Sequence, residues 1–340
     1  MAKVLTLGEI MLRLQPSGYK RIAQATELEM CFGGGEANVA VSLAQMDVPT
    51  AFCTKLPKNE LGDSCLRELR RWGVETSCIA RGGDRLGIYF CEKGVSQRPS
   101  RIIYDRANSS VTTISEEDID IDKMLNDVSW VHFTGITPAL GDAVALFLEK
   151  VLKQAKEKGI SISCDLNYRK KLWSREKANK VMSGLMKYVD LLISNEEDCK
   201  NIFGIEASGA NIYGGELTVD GYIDVAKKIK SMFNINKCAF TLRESLSASI
   251  NNWSGILVEN GQLYQSRKYT INVVDRVGGG DSFGAGLIYG MLNKVDRQEI
   301  IEYAVAASAL KHSIEGDFNV STVDEIEQLV KGDGSGRVQR

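Results

Sequence analysis

Histidine is scarce in this chain of 340 residues. It has two histidines, His132 and His312, and its eight cysteines, at 31, 53, 65, 78, 91, 164, 199 and 238, form no Cys-x-x-Cys pair. No zinc constellation can be assembled from that set. Most of the cysteines stand in apolar runs such as Ala51-Phe52-Cys53, so buried, reduced thiols in a cytoplasmic protein are expected. An excess of one charge is also missing. The net charge is -2, and the C-terminal end offers Arg337 and Arg340, too few for a nucleic-acid tail, so neither nucleic acid nor a membrane surface is an expected partner. The apolar start of the chain is broken early by Glu9 and Arg13, which argues against a signal peptide. No window reaches the roughly 18 to 20 apolar residues of a membrane span. Two familiar phosphate-binding patterns fail as well. A Gly-x-Gly-x-x-Gly fingerprint would need glycine at 283, where Phe283 stands, and the P-loop pattern is absent.

What is present is alternation. The length suits one large α/β domain with an appendage, or two smaller domains, with a core large enough to need no disulfide or structural metal. Residues 3–14 read as a strand, 27–32 as a second short strand, 36–46 as a helix, 50–56 as a strand and 61–72 as a helix closed by Gly73. Between about 74 and 113 the pattern changes to short β-like runs, 75–81, 87–92 and 101–106, with no helix between them, which reads as an inserted antiparallel patch. Alternation then resumes with strands at 130–134, 160–166 and 190–194 and helices at 142–157, 174–187 and 196–203. Residues 206–220, with Gly209, Gly214 and Gly215, read as a surface loop. A helix (221–233), a strand (237–242), a β-rich stretch to Val274 and helices near 281–293, 297–313 and 322–331 follow. This order implies a mostly parallel sheet. Segments 8–32 and 75–112 are expected to pair into a small lid on a single domain, 1–331, with 332–340 a flexible tail.

Two glycine turns carry the chemistry. Gly278-Gly279-Gly280-Asp281 precedes a helix-compatible run, and bare N–H groups at a helix N-terminus attract phosphate. A carboxylate there suits an anion-binding turn only if it takes a proton from the group attacking that phosphate. The other reading is a tight turn with Asp281 as N-cap. Gly33-Gly34-Gly35-Glu36-Ala37-Asn38 is the second turn, read either as substrate hydroxyl recognition with the Asn38 amide or as a plain strand–helix turn. In 101–106, alternation places Tyr104 and Arg106 on one face, with Tyr89 on the neighbouring strand. Two phenols and a guanidinium fork suit a polyhydroxylated acid, whereas an ordinary wet sheet face would look the same. Asp165, Asn167 and Arg169 alternate just past a buried strand. Asn195 and Asp198 follow the next one, where carboxylates could hold Mg²⁺ through water or simply serve the start of a helix.

Together these segments resemble the PfkB (ribokinase-like) carbohydrate kinases over essentially the whole chain. Gly33-Gly34 with Asn38 matches the family's first signature, and Asp275 to Asp281 with Ser282, Phe283 and Gly286 its second. Within the family, Tyr89, the run around Tyr104 and Arg106, Asp165–Arg169 with Leu172-Trp173, Thr241–Ser245, and Lys311-His312 before Gly316–Asn319 resemble the branch acting on 2-keto-3-deoxygluconate. The resemblance implies a ribokinase-like three-layer α/β/α fold with a mostly parallel central sheet and a small β-sheet lid. It implies ATP-dependent phosphorylation of a sugar acid, with Mg²⁺ and optionally a monovalent cation such as K⁺ near Asp275. Substrate contacts are implied for Gly34, Gly35, Asn38, Tyr89, Tyr104, Arg106, Arg169, Asp281 and Asp317. Nucleotide contacts are implied for Asn167, Ser194, Thr241, Arg243 and the Gly278–Gly280 turn, and a water-mediated Mg²⁺ contact for Asp198 or its neighbour Glu197.

Three departures from the family pattern stand out: Gly279 in place of alanine, Asp198 in place of glutamate, and Arg243 and serines in place of the glycines after Thr241. The expected chemistry has Asp281 as general base with an ordinary carboxylate titration, and the amides of Gly278, Gly279 and Gly280 as anion hole. Arg106 and Arg169 are expected to meet the substrate carboxylate. The lid's apolar back, Ile88, Phe90 and Ile103, is expected to pair with a second copy into a homodimer or larger assembly. Other kinases of this fold acting on fructose, ribose or 2-keto-3-deoxygalactonate, a dinucleotide-dependent oxidoreductase and a silent sugar-binding regulator remain alternatives.

Overall fold

Neighbouring residues of the first strand serve opposite cores: Val4 belongs to one and Leu5 to the other, and the pairs Trp130/Val131 and Leu191/Leu192 divide the same way. Strands covered by helices on both faces need apolar residues at successive positions rather than at every second one. The computed structural model describes residues 2–195, 197–207, 219–332 and 334. Its strands are β1 (Lys3–Leu7), β2 (Met11–Gln15), β3 (Glu29–Gly33), β4 (Thr50–Leu56), β5 (Ile79–Arg81), β6 (Gly87–Glu92), β7 (Arg101–Asp105), β8 (Val128–Thr134), β9 (Ser161–Asp165), β10 (Leu191–Ser194), β11 (Lys237–Ser245), β12 (Ile250–Glu259), β13 (Gln262–Gln265) and β14 (Tyr269–Asn272). The large sheet has the order β13-β12-β11-β10-β9-β8-β1-β4-β5, with β14 also paired to β12. From β11 to β5 every neighbouring pair is parallel, and β12 begins an antiparallel edge.

Helices Asp142–Glu157, Arg175–Met186 and Val219–Phe233 cover one face, and Gly35–Gln45, Gly279–Asn293 and Arg297–Lys311 the other. This is the ribokinase-like three-layer α/β/α arrangement. Several helices start on a side-chain cap that accepts from the first turn: Ser174 from the Lys177 amide, Asp296 from the Glu299 amide, and Thr322 in a reciprocal capping box with Glu325. Helix Gly279–Asn293 has no such cap. Among the described residues no helix is long and apolar enough to cross a membrane, and all eight cysteines are unpaired.

The lid is a separate sheet of order β3-β2-β6-β7. Three expectations are corrected here. Residues 3–14 are two strands rather than one, because Gly8-Glu9-Ile10 carries the chain out of the large sheet and β2 starts the lid. The lid is mixed, since β2 and β6 run parallel. Of the run 75–81, only Ile79–Arg81 is a strand, and it adds to β4 at the edge of the large sheet, where Ala80 is buried in a main core. The glycines at 209, 214 and 215, Glu196 and the tail from 335 onward lie outside the described residues.

Candidate active site

A cleft of about 450 Å³ opens between the lid and the C-terminal ends of the parallel strands, the edge at which open α/β sheets bind ligands. Both glycine turns reach it. Gly278 sits at φ 86°, a conformation that glycine adopts without steric cost. Its missing side chain also matters, because a methyl there would collide with the Asp317 carbonyl oxygen. The Gly279 amide donates to the Arg276 carbonyl at 3.3 Å, so the anion hole expected from three glycine amides is corrected. The amides without a partner among the described residues are those of Gly278, Gly280 and Asp281, at the uncapped start of a helix. At the other turn, Gly34 passes so close to the Glu9 carbonyl that any side chain would overlap it.

Asn38 joins the two turns. Its Nδ2 donates to Asp281 Oδ2 at 2.6 Å, and its Oδ1 accepts from the Gly34 amide at 3.2 Å. Asp281 keeps part of its surface open to the cleft, but protein packs around it on the other sides. This desolvation raises its pKa to about 7, with Asn38 and Arg169 opposing the shift and Asp317 and Glu36 adding to it. The expectation of an ordinary carboxylate titration is therefore corrected. The sequence cannot show that two further acids converge on the same floor.

The cleft wall gathers Gly35, Tyr89, Tyr104, Arg106, Asn167, Arg169, Ser194, Asp198, Thr241, Arg243 and Asp317. Among the residues read from the sequence, Gly279 and Asp275 stand behind it. Several have tighter roles than a free contact surface. Arg106 does not present an empty fork: its Nε donates to Glu9 Oε2 at 2.7 Å and its Nη2 bonds the same oxygen. Tyr89 is buried and donates to Asp317 at 2.6 Å. Tyr104 is exposed, with the Arg106 guanidinium over its ring at 5.4 Å. Arg169 makes one hydrogen bond among the described residues, from Nη1 to the Tyr168 carbonyl, and its side chain is exposed at the cleft.

Asn195 Oδ1 accepts from the Glu197 and Asp198 amides, as a turn-capping side chain does, while its Nδ2 donates to Asp198 Oδ2 at 3.1 Å. Burial raises Asp198 to about 6. Asp165 is raised well above the usual carboxylate range by burial and by the charges of Asp198 and Asp281. Three carboxylates thus surround one region with Arg169 as the opposing charge. Among the described residues no three metal-ligating side chains converge closely enough to hold an ion directly.

Behind the wall lies a network missed in the sequence. Arg13 is fully buried, donating to Asp317 Oδ1 at 2.7 Å and to both Asp275 Oδ2 and Gln15 Oε1 at 2.5 Å. Its signal was a lone charge in the apolar alternation Met11-Leu12-Arg13-Leu14-Gln15. Glu36 is buried and accepts from the Thr134 amide at 2.9 Å and from the Thr134 and Thr137 hydroxyls; an acid placed directly after three glycines was its signal. Beside Arg243, Arg276, Asn251 and Trp253 line the cleft, and Asn251 Oδ1 and Trp253 Nε1 are buried without partners among the described residues. Nothing local in the sequence marks those last two. Their approach depends on the register of β11 with β12, which sets Arg243 opposite Trp253 and Ser245 opposite Asn251.

The profile of the pfkB family carbohydrate kinases matches residues 1–321. The solved structure of a Thermotoga maritima 2-dehydro-3-deoxygluconokinase is 50% identical and superposes with a TM-score of 0.93, the match covering 97% of this chain and 98% of that one. The 2-dehydro-3-deoxygalactonokinase of Haloferax volcanii is 30% identical over 335 residues, 98% of each chain. A 2-dehydro-3-deoxygluconokinase of Bacillus subtilis is 26% identical over 317 residues, 93% of this chain and 91% of its own.

Proposed function

This chain belongs to the pfkB family of carbohydrate kinases, and we propose that it transfers the γ-phosphoryl group of ATP to 2-keto-3-deoxygluconate, giving 2-keto-3-deoxy-6-phosphogluconate. The observation that carries the mechanism is the pairing of Asp281, held by Asn38, with the unpartnered amides at the start of the same helix. The primary hydroxyl of the sugar acid donates to Asp281, which takes its proton as the oxygen attacks phosphorus. The amides of Gly278, Gly280 and Asp281 meet the charge on the transferring group. Positioning and charge stabilisation supply most of the rate in this reaction class.

The lid and the first glycine turn form the sugar side. Arg169 meets the substrate carboxylate, and Tyr104, Asn38 and the Gly34–Gly35 backbone meet hydroxyls. Arg106 contributes its remaining Nη1 donors, while Tyr89 and Arg13 hold Asp317 toward the sugar. Closure of the lid excludes water, the competing acceptor. Asn167, Ser194, Thr241, Arg243 and Arg276 line the nucleotide side. Magnesium fits the same floor: Asp165 and Asp198 are carboxylates in excess of the local positive charge, and they would hold the ion through water. There it would offset charge on the nucleotide's phosphates.

Replacing Arg169 with alanine is expected to raise KM for the sugar acid about ten- to hundred-fold, the worth of a hydrogen bond to a charged group. A neutral sugar analogue should be barely affected, and an equal rise for both would remove Arg169 from the carboxylate. Release of ADP measured over 2-keto-3-deoxygluconate, 2-keto-3-deoxygalactonate, fructose and ribose tests the substrate class, and preference for a neutral sugar would overturn it. The Haloferax volcanii relative makes the galactonate epimer the second reading. Across the lid's outer face, Met30, Leu14, Phe90 and Ile103 stand in register, with Met30 and Ile103 exposed. This row supports a homodimer through the lid, and Ile103→Asp is expected to sediment as a monomer. An unchanged sedimentation coefficient would place the interface elsewhere.

A further inference from the structure

Lys311 is a buried cation with no part in the chemistry above. It ends helix Arg297–Lys311, is wholly inaccessible to solvent, and donates from Nζ to the Ile314 carbonyl at 3.0 Å. Its Cε lies 3.2 Å from the point where a Gly278 side chain would begin. Its ammonium group is therefore held on the protein side of the anion turn, opposite the cleft. The carboxylates of Asp275 and Asp317 stabilise its charge against the burial that disfavours it.

Asp275 is the group near which the family resemblance implies an optional monovalent cation, and its surroundings do not fit one. Its Oδ2 accepts from Arg13 at 2.5 Å and from the Gly316 amide at 3.3 Å, and its Oδ1 from the Val277 amide at 3.1 Å. Two buried cations, Arg13 and Lys311, stand against two buried carboxylates, Asp275 and Asp317. The cluster is already neutral, and a further buried cation would go without a counter-charge.

We propose that Lys311 is a tethered cation that takes the place of a monovalent metal ion behind the Gly278–Gly280 turn, so that the anion site is organised without potassium or sodium. It is a positioning residue, because it acts through the turn rather than on the substrate. The idea rests on the kinase reading for its activity test but not for its binding test.

The wild-type protein is expected to show the same phosphorylation rate in potassium, sodium, rubidium and tetramethylammonium chlorides at constant ionic strength of about 0.1 M, where bulk screening is held fixed. Lys311→Met leaves the acidic pair in excess. Its rate is expected to fall about ten- to hundred-fold in tetramethylammonium, the range for a lost hydrogen bond from a charged group, and to recover in potassium. Independently of any substrate, potassium is expected to raise the melting temperature of Lys311→Met and not that of the wild type. Thallium-205 NMR should show a bound ion only in the variant. Potassium activation of the wild type, or thallium bound to it, overturns the proposal. So does a folded Lys311→Met protein that neither binds nor responds to potassium. If that variant does not fold, the wild-type measurements alone decide, and the melting and NMR readings hold even if the sugar substrate is another.

Discussion

Exchange of Asp281 for asparagine is expected to lower turnover about 10²- to 10⁴-fold, the contribution of a positioned base, while leaving ATP affinity within a few-fold. The substitution is close to isosteric. Its amide oxygen can still accept from Asn38 Nδ2, the bond that aims Asp281 now, so loss of rate would report chemistry rather than a displaced turn. A pH profile gives a second reading. Desolvation raises the Asp281 carboxyl to about 7, and only the ionised form can accept a proton. The kcat/KM of the wild type should therefore fall as pH drops through about 7, approaching tenfold per pH unit below it, because that ratio reports the free enzyme. In Asp281→Asn this limb should vanish. Near-wild-type turnover in the variant would sink the mechanism. An acid limb that persists unchanged would assign the titration to another group.

The second large effect concerns stability. Arg13→Met is expected to cost about 3–5 kcal/mol, because it strips the guanidinium from two carboxylates that stay buried. The whole stability of a protein is about 5–15 kcal/mol. Arg13 bonds Asp317 at 2.7 Å and Asp275 at 2.5 Å with no exposure to solvent. Denaturant midpoints would measure the loss, and a deficit below about 1 kcal/mol, the level of an exposed pair, would mean the cluster relaxes by admitting water. The pH dependence has a definite sign. The folded-state pKa of Asp317 is already raised by burial, which Arg13 opposes. Without Arg13 it rises further, so the folded variant binds more protons than the unfolded chain between the two pKa values. Its deficit should therefore shrink as pH is lowered from neutrality, as the raised carboxyl takes up its proton in the folded state before the unfolded chain does.

The sequence was most informative where local patterns carry the information. Apolar runs marked β1, β4, β8, β9 and β10, and the turn glycines marked the ligand edge, because parallel strands covered on both faces and helix starts facing a cleft leave such signatures. The sequence was least informative where the effect arises between distant residues. Arg106 was legible as a cation on the lid, but its partner Glu9 lies 97 positions away. Asp281 was legible as an acid beside a turn, but its raised pKa depends on Asp317, Glu36 and the packing around them. Residues 3–14 kept one apolar pattern through Gly8-Glu9-Ile10, so periodicity could not show that the chain changes sheets there.

The positions of Arg13 and its partners along the chain also bear on how the protein is made. The guanidinium is part of the second strand to be synthesised, yet its carboxylates arrive 262 and 304 residues later. Until Asp317 clears the ribosome, the emerging lid carries a positive charge with no counterpart, and the first glycine turn faces a floor that does not exist. The lid and floor can therefore close only after Asp317 has emerged. Stalled chains ending before Asp275 should expose the Arg13 strand to protease, whereas the chain released from the ribosome should protect it.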